Sequence, residues 1–273
     1  MNDTLDNEQT LGEETFDEQA LGEKEQPSQK PALRASTAVL AFFLFLLGQV
    51  VASIILVIFA VVKFAGEGGD IESAEFVAKI MAGMMPQLTL CGVLGGGVGL
   101  SLAALILRRG LRDRSGQGGA WVSGSSAAMF QSIGLGVAAA FFYLSFPLFF
   151  MPPPVGAEVG PLAKMATQGG IGQIIWVITA VILAPPIEEL LFRGIILGGL
   201  NRSWGIVWGV VICNLLFVLT HIAELIHYIP AFAGLTLLSL IATRQRLTYQ
   251  AIGPAIAAHV GYNGTLAVTL LFS

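Results

Sequence analysis

Charge is what this sequence has least of. Only 12% of its 273 residues are Asp, Glu, Lys or Arg, and nine of the 18 acids fall within the first 25 positions. A soluble domain would carry about 25%, so the net charge of −4 describes a short acidic start and not the body of the chain. Cysteine is nearly missing too. Cys91 and Cys213 both stand in apolar runs, which leaves no disulfide framework and no CxxC metal site. Small apolar packing residues are their natural role. No basic n-region opens the chain, so no secretory signal peptide is expected.

What fills the sequence is hydrophobicity. Apolar residues make up 55% of the chain, and the mean hydropathy is +0.76. After residue 34 apolar runs of 18 or more residues recur, and a run of that length reads as a transmembrane helix. The expected fold is all-α: a polytopic transmembrane helical bundle of about seven spans behind a disordered acidic N-terminal tail. That tail, residues 1–34, is polar and poor in aromatics. It carries an octamer twice, at Asn7–Glu14 and Asp17–Lys24, and two polar copies cannot build a solenoid.

Spans are expected at about 35–62, 81–107, 127–150, 171–200, 204–226, 229–242 and 251–272. The second is rich in glycine, which lets helix backbones approach closely in lipid. The fourth holds Pro185-Pro186, where each proline removes a hydrogen bond and kinks or breaks the helix. A turn near Asn201–Trp204 separates the fourth span from the fifth. Alternate segments place Lys24, Lys30, Arg34, Arg108, Arg109, Arg112, Arg114, Arg202, Arg244 and Arg246 on one side, against Lys63, Lys79 and Lys164 on the other. Ten against three puts the N-terminus in the cytoplasm.

Within this apolar body a few polar residues stand out. Glu188, Glu189 and Arg193 lie in an apolar run, and each charge at a bilayer centre costs on the order of 2.5–3.5 kcal/mol. Such residues face an interior cavity and carry function. Glu189 and Arg193 are spaced i, i+4 and can pair on one helix face. Glu188 is turned about 100° away and needs a partner from elsewhere. The three histidines, His221, His227 and His259, all follow residue 220. His227 beside Glu224 and Tyr228 reads as a structural surface residue. His259 and Asn263 share a face at i, i+4. Counting about 1.5 Å per residue from the adjoining turns brings Glu188, His221 and His259 to similar depths near mid-membrane on three helices.

Two chemistries suit that set. A carboxylate held away from bulk water can act as a general base near neutral pH, with a histidine beside it to position the same water. A second histidine with an asparagine amide can then donate to the oxyanion formed when water attacks an amide carbonyl. Alternatively Glu188, His221 and His259 form a three-ligand zinc set with a fourth position for water. Both lead to peptide-bond hydrolysis. The plainer readings are a buried ion pair at Glu189–Arg193, a core histidine at His221 and an interhelical clasp at His259–Asn263. A transporter is disfavoured by the lack of multi-helix repeats.

The motifs Glu188-Glu189-x-x-x-Arg193, Phe217-x-x-x-His221 and His259-x-x-x-Asn263 resemble, in order, those of the CPBP family of CAAX-protease and bacteriocin-processing membrane enzymes (also called Abi or Rce1-like). The resemblance covers about residues 171–273 and divides the chain into the tail at 1–34, accessory transmembrane helices at 35–170 and a catalytic membrane core at 171–273. It implies an intramembrane endopeptidase, glutamate-type or metallo-type, in which Glu188 and His221 activate water. His259 and Asn263 would stabilise the oxyanion, and Glu189 and Arg193 would support. The implied partners are a peptide or membrane-protein substrate and the lipid bilayer, with no nucleic acid. Zinc is the one cofactor left open, and the plasma membrane is the expected location. A scaffold or immunity protein of the same fold, binding a peptide without cutting it, is the alternative.

Overall fold

The computed structural model describes residues 34–66, 73, 84–112, 123–149, 169–222 and 230–272, with backbone alone at 107–112, 147–149 and 230. The acidic tail, His227 and most of the loop charges therefore lie outside the described residues. Every regular element among those described is helical. We label them α1 (Ala35–Gly66), α2 (Met85–Arg112), α3 (Ser126–Phe149), α4 (residues 170–196), α5 (Leu197–Leu219), α6 (Pro230–Tyr249) and α7 (Gly253–Leu271).

Among the described residues four stretches are long and apolar enough to cross a membrane: Ala35–Gly66, Met85–Ile106, Ser126–Phe146 and Gly170–Leu219. On α1 large side chains such as Phe43, Ile55, Phe59 and Val62 are exposed, as suits a helix with lipid on most of its sides. The chain is an integral membrane protein. Arg244 and Arg246 lower the hydropathy of α6, and His259, Tyr262 and Asn263 lower that of α7. Neither reaches the same measure.

The 50-residue stretch Gly170–Leu219 would be about 75 Å long if straight, more than twice a bilayer core of about 30 Å. It turns at Gly205, where φ is 81° and ψ is 167°. That region is open essentially to glycine alone, and it falls one residue after the expected turn. Two other expectations need correction. The helical backbone of α2 runs on through Arg108 and Arg109 to Arg112, and α6 continues through Arg244-Gln245-Arg246 to Tyr249. Gln245 and Arg246 are buried, so packing within the bundle, not a polar loop, accounts for part of this basic segment.

Packing follows small residues. A Cβ on Gly95 or Gly99 of α2 would strike the backbone of Gly48 or Leu44 on α1, and one on Gly136 of α3 would strike the carbonyl of Ala258 on α7. The central core joins Ala38, Ala41 and Phe45 of α1 to Leu191, Phe192 and Ile195 of α4 and to Cys213 and Phe217 of α5. Cys213 is buried and Cys91 partly so, and both are free thiols. A second cluster ties Ala139 and Ala140 of α3 to Leu238 of α6 and Tyr262 of α7. These contacts hold α4, α5 and α7 around one polar centre.

Candidate active site

The segment that presents the acidic pair is irregular for a definable reason. Pro185 and Pro186 do not break α4. They open a short α-helical piece, Ala184–Glu189, flanked by π-helical turns at Ile178–Leu183 and Leu190–Ile196. The wider turn relieves the clash between a proline ring and the preceding turn, and π turns of this kind are frequent at functional sites. One consequence can be traced. The amide of Ala184 bonds to Thr179 O, and Pro185 has no N–H, so the carbonyl of Ala180 has no helical donor. The side-chain amide of Asn263, on α7, donates to it at 2.8 Å. Local proline chemistry thereby fixes one end of Asn263.

Glu189 and Arg193 are fully buried and paired at 3.2 Å. The Glu189 oxygen that accepts from Arg193 also accepts from Nδ1 of His259 at 2.8 Å. His259 was expected to face a reacting group, but this anchoring to Glu189 was not foreseen. With Nδ1–H committed to a carboxylate, Nε2 carries a lone pair in the neutral ring and donates only when the ring holds both protons. That Nε2 lies 3.9 Å from Oε2 of Glu188. His221, on the turn that ends α5, brings its own Nε2 to 3.8 Å from the same oxygen. Its Nδ1 donates to the Phe217 carbonyl at 2.9 Å, which leaves Nε2 as the acceptor in the neutral form. The groups that face Glu188 from outside its own helix are thus two imidazoles, at the end of α5 and on α7, neither within direct hydrogen-bonding distance.

Glu188 Oε2 is buried and has no hydrogen-bond partner among the described residues. A carboxylate oxygen in that condition is costly, and its retention calls for an explanation such as a bound water or a catalytic role. Phe217 closes the underside: its ring lies 5.0 Å from His221, 5.8 Å from His259 and 4.4 Å below the Arg193 guanidinium. That cation–π contact is worth about 2 kcal/mol when desolvated.

The three candidate zinc ligands, Glu188, His221 and His259, come together around one point. Among the described residues no group of three or more His, Cys, Asp or Glu is arranged to hold a metal ion. The two Glu188–imidazole separations, 3.8 and 3.9 Å, exceed by about 0.5 Å the edge of a tetrahedron with Zn–N near 2.0–2.1 Å.

The motif reading missed the polar residues behind Arg193. Ser239 accepts from Arg193 through both its carbonyl and its hydroxyl at 2.8 Å. It passes a 2.6 Å bond on to Oδ1 of Asn214, which also accepts from Thr243 at 3.1 Å. Asn214 stands seven residues, two turns, before His221 and so shares its face, a signal that was available. Ser239 gave none.

These features define a class: a helical membrane protein whose bundle encloses a carboxylate and two imidazoles converging from three helices. Residues 170–265 match the model of the Rce1-like family, type II CAAX prenyl endopeptidase. The match holds every residue of the three motifs and agrees with the CPBP resemblance. No curated protein and no solved structure matches the chain.

Proposed function

We propose that this protein is an intramembrane endopeptidase that hydrolyses a peptide bond with water activated by Glu188 and His221. The observation that carries the reading is the orphaned Glu188 oxygen, buried and set 3.8 and 3.9 Å from two imidazole nitrogens. Glu188 Oε2 and His221 Nε2 are both acceptors, so one water donates a hydrogen to each and turns its lone pair outward. As that oxygen bonds to the substrate carbonyl carbon, Glu188 takes one proton. The oxyanion then receives hydrogen bonds from doubly protonated His259 and from the second amide hydrogen of Asn263, the first being spent on Ala180. When the intermediate collapses, the C–N bond breaks and Glu188 passes its proton to the leaving amine. Glu189, held by Arg193, balances the charge of His259.

The substrate is a peptide or a membrane-protein segment. The family's description raises a prenylated CAAX peptide as one case, and a leader peptide or membrane segment is another. Seven crossings with the N-terminus in the cytoplasm accord with the bias of Lys and Arg, which stands at nine to three without the buried Arg246, and the plasma membrane is the location proposed.

The test is cleavage of a peptide library, with and without prenylated CAAX members, by detergent-purified protein beside Glu188→Ala and His221→Ala. Loss of cleavage in both folded variants is expected, with no effect of a zinc chelator. Unchanged cleavage in either variant would overturn the mechanism. Loss on chelation would assign the water to a metal instead. A wild type that cuts nothing yet retains peptides would point to the binding-only alternative.

A further inference from the structure

We propose that Ser239 and Asn214 are positioning residues for the peptidase site, forming a strut that keeps Arg193 off one oxygen of Glu189 so that the other holds His259. The inference rests on the peptidase reading and adds two residues that lie outside its three motifs.

Hydrogen-bond directions along the strut are forced by chemistry. Arg193 can only donate. One terminal nitrogen reaches Oε1 of Glu189 at 3.2 Å, and the other reaches the carbonyl and hydroxyl of Ser239, each at 2.8 Å. Having accepted from Arg193, the Ser239 hydroxyl donates to Oδ1 of Asn214 at 2.6 Å. Thr243 takes a second lone pair of that oxygen. The Asn214 amide nitrogen donates to Val210 O at 2.7 Å, which fixes which way the amide faces. Ser239 is fully buried, and Asn214 and Thr243 are nearly so, so bulk water cannot replace a lost member.

A guanidinium facing a carboxylate prefers a two-pronged grip on both oxygens. Arg193 does not take it. Oε2 of Glu189 has no partner among the described residues although it is buried, while Oε1 accepts from both Arg193 and His259. Ser239 holds back the nitrogen that would close the fork. Without its hydroxyl, or without the Asn214 acceptor that orients it, that nitrogen keeps only the Ser239 carbonyl, and the balance shifts toward Arg193 gripping both oxygens. Glu189 then draws away from Nδ1 of His259, and Nε2 loses its aim at the reacting group. Substrate contacts are untouched, so the effect falls on turnover.

The experiment uses the full chain in detergent with a peptide identified as cleaved, comparing wild type, Ser239→Ala, Ser239→Thr, Asn214→Leu and Glu188→Gln. Ser239→Ala and Asn214→Leu should lower kcat by about tenfold or more while KM stays within about twofold, as expected when a catalytic group is misplaced. Ser239→Thr, which restores the hydroxyl, should recover most of kcat. Equal loss in Ser239→Thr and Ser239→Ala would assign the effect to packing and overturn the proposal. Wild-type kcat in Ser239→Ala, with Glu188→Gln inactive, would overturn the strut alone. Activity in Glu188→Gln would instead sink the peptidase mechanism on which it rests.

Discussion

Replacing Glu189 by Gln changes one atom and leaves a full positive charge in the bundle without its counterion. Arg193 and Glu189 are both fully buried and lie 3.2 Å apart. At an effective dielectric of about 20, Coulomb's law gives an attraction of about 5 kcal/mol. Removing one member of a buried pair costs about 3–5 kcal/mol, the same range by an independent route. Each 1.4 kcal/mol is about tenfold in an equilibrium constant, so the unfolding equilibrium should shift by roughly a hundred- to several-thousandfold. The double variant Glu189→Gln, Arg193→Met carries no orphaned charge and should regain most of that loss. His259 keeps an acceptor in the Gln carbonyl, but the compensating negative charge is gone, so cleavage stays low. The assay is denaturant unfolding in mixed micelles for all four members of the cycle, with cleavage measured on each. Additive stability losses, or full activity in the double variant, would refute the claim that this pair acts as a unit serving His259.

Two further substitutions probe how the backbone places the site. Gly205→Ala forces a side chain into φ 81°, ψ 167° and should cost about 1–3 kcal/mol. A melting temperature equal to wild type would show that the turn at Gly205 is not strained by a side chain. Pro185→Ala returns an N–H to α4, and because the π turn already relieves the ring's clash, stability should change by much less than the roughly 3 kcal/mol of an interior helix proline. The same N–H competes with Asn263 for the Ala180 carbonyl, so cleavage should slow. Cleavage at the wild-type rate would dissociate the proline from the placement of Asn263.

Much of this protein is legible without coordinates because a bilayer imposes severe rules. Backbone polar groups in hydrocarbon must be satisfied internally, so the apolar runs had to be helices. Charges there are expensive, so Glu188, Glu189, Arg193 and His259 marked the site by type and depth alone. The turn at Gly205, inside α5, was legible within a residue because the stretch is too long for one crossing. The reach of α6 was not. Arg244-Gln245-Arg246 reads as a loop from polarity, and only the neighbouring helices that bury Gln245 and Arg246 reveal it as bundle interior.

The sequence by itself determined the all-helical membrane class and the three motifs, and it led to the expectation that their side chains meet, since helix rise and periodicity are local properties. Tertiary structure alone decided which oxygen meets which nitrogen. That Oε1 of Glu189 holds both Arg193 and His259, that Asn263 caps a carbonyl stranded by Pro185, and that Ser239 restrains Arg193 all depend on how helices distant in sequence rotate and approach. Packing of their small residues sets that rotation, and no local periodicity encodes it.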